Sequence, residues 1–143
     1  MKKTILAIFF ILVASIVHAE QYLCIADSAV GFSFNKTTKM WERTNFSIND
    51  FKYVISESKL KDLAYQITQM GYNIPHSFCK DSFNEYGFLN CSGFGEFKFN
   101  KKNGRFISSY LIGYYNVLPE MNNITDENSG DTPSITIGKC SPF

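Results

Sequence analysis

The chain has 143 residues, with 14 Lys and Arg against 13 Asp and Glu and a formal net charge of +1. That balance excludes a general polyanion or nucleic-acid binder. An aromatic content of 16 %, mostly Phe and Tyr, excludes a disordered polar tail.

In chain order, Met1, Lys2 and Lys3 form a short basic start before the apolar run "TILAIFFILVASIV", and "VHA" then puts Val17 and Ala19 at the small-residue positions before a cleavage point. This pattern predicts a signal peptide over residues 1–19, a single domain over residues 20–143 and no transmembrane anchor in the mature form. "QYLC" lacks the small residue that a lipid-modified Cys24 would need before it. Loss of Lys2 and Lys3 leaves 12 Lys and Arg against 13 Asp and Glu.

Strand patterns follow. "YLCIADSAV" (22–30) is one, and "VGFSFNKTTKMWERTNF" reads as a hairpin: Val30, Phe32 and Phe34 share a face, "NKTTK" turns, and Trp41 and Phe46 resume the apolar pattern. "FKYVIS" (51–56) is a third run. "ESKLKDLAYQITQMG" is ambiguous: Leu60, Leu63, Ala64, Ile67 and Met70 fit a helical face ending at Gly71, whereas "AYQITQMG" also suits a strand beginning at Tyr65. The reading favoured over 57–70 is a short helical turn followed by a strand.

"GFLNCSGF" (87–94) is a strand, with Gly93 and Gly95 marking a bulge or sharp coil. "GEFKFNKKNGRFISSYLIGYY" is a second hairpin, with Phe97 and Phe99 before its turn and Phe106, Tyr110, Ile112 and Tyr114 after it. Residues 119–133 form a polar acidic loop between two prolines, and "SITIGKC" (134–140) is the last strand. The two hairpins share wording: "FNKTTKMW" at 34–41 returns as "FNKKNGRF" at 99–106. Asn35 and Asn100 can each bond their own backbone to start a turn, and Asn103-Gly104 supplies positive φ, so shared turn chemistry explains the repeat better than a duplicated half-domain.

All four cysteines, Cys24, Cys79, Cys91 and Cys140, lie beyond the signal segment, and no CxxC occurs. An even count in an oxidising compartment predicts two disulfides. Of three connectivities, Cys79–Cys91 as a local staple and Cys24–Cys140 as a tie between first and last strands is preferred. The expected fold is all-β: a small antiparallel barrel or sandwich of about six to eight strands, with two disulfides and room for one short helix.

The stretches "CIADSAVGFSFNKTTKMWERTNF", "GFGEFKFNKKNGRFISSYLIGYY" and "TPSITIGKCSPF" resemble a functionally uncharacterised family of small exported proteins of Gram-negative bacteria and their phages. The resemblance implies export and carries over no catalytic or binding residue.

Candidate chemistry is sparse. His76 is the single histidine after residue 19, and "IPHSFCKD" sets it near Ser77 and Asp81, where a loop histidine beside a disulfide is the ordinary reading. Asp126, Asn128 and Asp131 are oxygen donors, but their glycine falls one position early for a calcium loop and no closing Glu follows. Glu42, Asp50, Glu57 and Glu96 would serve glycoside hydrolysis only by converging in space. "GFGEF" is not a phosphate loop. "Asn-X-Ser/Thr" occurs at Asn35, Asn45, Asn90 and Asn123, which a bacterial-type signal leaves unglycosylated.

The remaining candidate is basic: Lys36 and Lys39 on one hairpin tip, with Lys98, Lys101, Lys102 and Arg105 on or beside the other. If both tips point the same way, they form one patch for an anionic envelope component or an acidic protein. The expected function is an exported, non-enzymatic binding module without a cofactor. A periplasmic inhibitor of a cell-wall hydrolase and a small hydrolase using carboxylates or His76 are the alternatives.

Overall fold

The computed structural model describes residues 20–115 and 132–143. Nine strands and one helical turn are present among these: β1 (Tyr22–Asn35), β2 (Met40–Asn45), β3 (Lys52–Glu57), β4 (Tyr65–Gln69), β5 (Ser77–Cys79), β6 (Phe88–Gly93), β7 (Glu96–Asn100), β8 (Arg105–Tyr110), α1 (Ile112–Tyr115) and β9 (Ser134–Pro142). Every pairing is antiparallel, and neighbours run β1–β3–β4–β5–β6–β7–β8–β9 before β9 returns to β1. The result is a closed eight-stranded barrel with β2 outside it as an extra strand.

β1 serves both parts. Residues 22–25 pair with β3, residues 22–31 with β9, and residues 30–35 with β2. The sequence patterns at 22–30 and 30–34 are thus one 14-residue strand. A register shift between Ala26 and Ser28 leaves Asp27 as a bulge, the device by which a long strand bends enough to enter a barrel and leave it again. Beyond the bulge Ala29 points inward, while Val30 and Phe32 face out.

Strict alternation builds the interior. β3 buries Tyr53 and Ile55, β4 Tyr65 and Ile67, β6 Leu89 and Cys91, and β7 Phe97 and Phe99. Phe97 and Phe106 stack at 5.1 Å, and Tyr53 meets both edge-on at 5.4 and 5.7 Å. One end is plugged: Phe83 packs against Tyr22, Tyr65 and Phe99 with centroids 5.3 to 5.9 Å away. Lys101 lies over the Phe83 ring at 4.6 Å and pairs with Glu20 at 3.1 Å.

Both disulfides have the expected connectivity, Cys24–Cys140 and Cys79–Cys91. Cys24 stands directly opposite Cys140, so the bond crosses the seam where the last strand meets the first. Two intramolecular disulfides suit an oxidising compartment outside the cytoplasm.

The repeated octapeptide is the same turn made twice. Asn35 Oδ1 accepts from the Thr37 and Thr38 amides, and Asn100 Oδ1 from Lys102. In each loop the amide four residues on closes back to the Asn carbonyl, Lys39 to Asn35 at 2.8 Å and Gly104 to Asn100 at 2.9 Å. Those two residues hold the left-handed position, with φ of 57° and 69°. Glycine at Gly104 takes it without strain, whereas Lys39 accepts the cost of a Cβ there.

Two expectations need correction. Residues 58–63 form non-helical turns, with Asp62 at φ 68°, instead of a helical turn, while the strand expected to follow is present from Tyr65; Tyr65 and Ile67 are its alternating inward residues, and Leu60 and Met70 remain exposed. β8 stops at Tyr110, so Ile112 and Tyr114 continue as α1 rather than as strand. Tyr114 meets Trp41 edge-on at 5.2 Å, and Trp41 meets Phe34 at 5.7 Å, which anchors the protruding β1–β2 arm. The predicted signal peptide, most of the acidic loop and Asp126, Asn128, Asp131 and Asn123 lie outside the described residues.

Candidate functional site

Strand direction divides the predicted basic residues. Arg105 is opposite Lys139, which is opposite Ile25 near the start of β1, whereas Lys36 and Lys39 follow the far end of β1. Ten strand residues separate Ile25 from Asn35, about 30 Å of chain. The two tips therefore sit toward opposite ends of the barrel and do not make one patch. Lys101 is engaged by Glu20 and Phe83, and Lys102 donates to the Glu85 carbonyl at 3.3 Å. Lys98 and Arg105 point outward from neighbouring strands.

The carboxylates do not converge either. Glu57 closes β3 at the plugged end, Asp50 and Glu96 belong to the opposite end, and Glu42 on β2 accepts from Asn35 and Thr38. Ser77 is turned away from His76, donating to the Gly95 carbonyl at 2.7 Å.

What the fold does assemble is a cavity at the end opposite the plug. Inward side chains shrink there to Ala29, Ser77, Ser108 and Thr136, and the unfilled space is about 500 Å³. Five aromatic residues, Phe51, Tyr53, Tyr72, Phe94 and Tyr110, wall it with Ile74 and Pro75; Tyr72, Ile74 and Phe94 are exposed and form its rim. Gln69, His76, Ser108, Thr132, Ser134 and Thr136 supply the polar atoms. The described wall contains no Asp, Glu, Lys or Arg.

His76 is held from three sides. Its amide donates to the Ile67 carbonyl at 2.7 Å, its carbonyl accepts from Phe94 at 3.0 Å, and its ring lies 5.8 Å from that of Tyr53. Glycine at Gly95 leaves room for the ring, since a Cβ there would lie 2.5 Å from Nε2. The notion of Gly93 and Gly95 as a sharp coil thus has a cause: both let the His76 segment approach β6 and β7 closely. Nε2 stands 3.4 Å from Ser108 Oγ.

Burial pushes the imidazole pKa below its ordinary 6.5, so the ring is neutral at pH 7. Burial likewise raises the Tyr53 phenol, opposed by hydrogen bonds with Ser108 and Thr136. Tyr53, His76, Ser108 and Thr136 thus form a neutral hydrogen-bonding floor beneath aromatic walls.

A depressed histidine pKa has a defined linkage. Unfolding lets His76 take a proton at its ordinary pKa, so the stability it contributes is complete above about pH 6.5 and is lost as pH falls from there toward the folded value. Unfolding free energies from urea titrations between pH 7 and pH 5 should fall with a slope of up to about 1.4 kcal/mol per pH unit. The slope should vanish over that window in His76→Asn; an unchanged slope would place the titrating group elsewhere.

The sequence reading missed this site because Phe51, Tyr53, His76, Ser108 and Thr136 are scattered over four segments. The legible signal was the one inward-facing phase of each strand, in which small polar residues replace aromatic ones toward one end. Compared with protein-family models, curated protein sequences and solved structures, the chain matches none.

Proposed function

We propose that this chain is an exported, non-enzymatic binding module whose site is the open end of the barrel, and that its ligand is uncharged, apolar over most of its surface and polar at one end. The supporting observation is the cavity of about 500 Å³ itself, aromatic on its walls, free of ionised side chains in its described lining, and floored by neutral donors and acceptors. Its volume is that of a small-molecule site. A charged ligand would leave an unpaired ion in a low-dielectric pocket, whereas apolar area contributes roughly 25 cal/mol per Å² removed from water. The apolar start of the chain and the two disulfides support export, to the periplasm or beyond.

The Ser108–His76 contact alone does not favour a hydrolase. A nucleophile needs its base oriented by a third group, and no carboxylate lines the described wall.

N-phenyl-naphthylamine, neutral and fluorescent in apolar surroundings, tests the reading. It should bind the wild-type chain saturably. Ser108→Leu, which fills the floor, should abolish binding, and Ile74→Ser, on the exposed rim, should weaken it several-fold without disturbing the fold. Absence of saturable binding to the wild type, or equal binding to all three proteins, would refute the site.

A further inference from the structure

The outer wall of the barrel carries a second feature, independent of the cavity. Ile107 on β8 faces Ile137 on β9, and Ile135 on β9 faces Val30 on β1, with Phe32 two residues farther along. All five point to solvent at 42 to 52 % exposure. On an antiparallel sheet such cross-strand neighbours touch, so they make one contiguous apolar patch rather than scattered exposed residues.

Cations border this patch in register. Arg105, Lys139, Ile25 and Lys52 are successive partners across β8, β9, β1 and β3, a row of three cations around one more exposed isoleucine. Lys98 on β7 is opposite Ile107, and Arg43 on β2 is opposite Phe32. The one ion pair among the described residues is Lys101 with Glu20, so none of these five cations is neutralised by a carboxylate there. Asp27 in the bulge and Glu96 on β7 are the acids nearest to this wall by register.

We propose that the β8–β9–β1 wall docks on an anionic phospholipid surface, the isoleucines and Phe32 entering the headgroup boundary while Arg105, Lys139 and Arg43 engage lipid phosphates and Lys52 and Lys98, on the flanking strands β3 and β7, add to the attraction. Apolar contact and cationic attraction are the two terms that hold a protein at such an interface. The arrangement suits lipid: Val30, Phe32, Arg43 and Ile135 line a shallow groove of about 380 Å³ that an acyl chain can enter, and lysine and arginine stems are long enough to reach outward past the patch to phosphates. Two of the six basic residues prominent in the sequence, Lys98 and Arg105, thus belong to a surface feature, with Lys139 and Lys52 as partners instead of the hairpin tips.

The test is sedimentation of the chain with phosphatidylcholine vesicles that contain or lack phosphatidylglycerol, at low and high salt. Wild type should bind the anionic vesicles, more weakly as salt rises, and the neutral ones little. Lys52→Gln/Arg105→Gln/Lys139→Gln should lose about a hundredfold in affinity. Ile107→Asn/Ile137→Asn should also lose binding, now at both salt concentrations. All substituted positions are exposed, and circular dichroism with a urea midpoint matching wild type reports whether the barrel survives. Failure of wild type to bind anionic vesicles at low salt would overturn the proposal, as would unchanged binding by the charge variant. Capture by polyglutamate as tight as by vesicles, and indifferent to the isoleucine substitutions, would overturn it in favour of an acidic polymer. None of these outcomes bears on the cavity.

Discussion

Replacing Cys24 and Cys140 together by alanine should lower the unfolding free energy by about 4 to 5 kcal/mol, and the same change at Cys79 and Cys91 by about 3 kcal/mol. The difference comes from the loops closed, since the bonds span 116 and 12 residues and the entropy removed from the unfolded chain grows with the logarithm of that span. Against a total stability of 5 to 15 kcal/mol typical of small domains, the larger loss threatens folding outright. Location reinforces length. Cys24 and Cys140 join the strands whose pairing closes the barrel, so their loss acts where a sheet would otherwise present two free edges. Urea denaturation of the two double variants, with wild type under reducing and non-reducing conditions, measures both terms. Equal losses at the two bridges would overturn the dependence on loop length, and a negligible loss at Cys24 and Cys140 would mean that the seam is held by strand pairing alone.

How much of this was legible depended on whether a feature was local. Each hairpin could be read from a few adjacent residues, because Asn35 and Asn100 build their turns from their own side chains and Gly104 marks the left-handed position. That there are two disulfides was legible from an even cysteine count; their connectivity was a preference among three pairings, because spacing does not say which strands meet, and the preferred pairing is the one present. The segment at 57–70 stayed ambiguous because Leu60 and Leu63 mimic a 3.6-residue period across what are turns; the favoured strand after a short turn is present, but only the partner strands β3 and β5 decide that Tyr65 and Ile67 are the inward pair. Basic residues near the repeated turn suggested one site, but antiparallel direction is a property of the whole barrel. The Asp27 bulge left no local mark, and the cavity left only a signal spread over the inward phases of several strands, since its floor is drawn from β3, β8, β9 and the residue before β5.

Gly95→Val should cost about 3 kcal/mol or more and should also abolish ligand uptake by the cavity. A Cβ at this position would stand 2.6 Å from the Ser109 carbonyl oxygen, 2.5 Å from His76 Nε2 and 2.7 Å from its Cε1. The carbonyl belongs to β8, so that contact resists relief by rotation of a side chain. The ring is the part that can yield, and in yielding it leaves Ser108 and tilts into the space that a ligand would occupy. The two contacts can be separated. In a His76→Ala background the ring clash is gone and only the carbonyl clash remains, so the cost of Gly95→Val should fall by about 1 to 2 kcal/mol, a coupling that a double-mutant cycle reads directly. Gly71→Val is the reference: its Cβ would meet nothing within 4 Å, and only its φ of 91° opposes the change, which should leave N-phenyl-naphthylamine binding intact. If Gly95→Val matched wild type in stability to within about half a kcal/mol, the close packing of β7 on His76 would be absent and the floor of the cavity would lack its support.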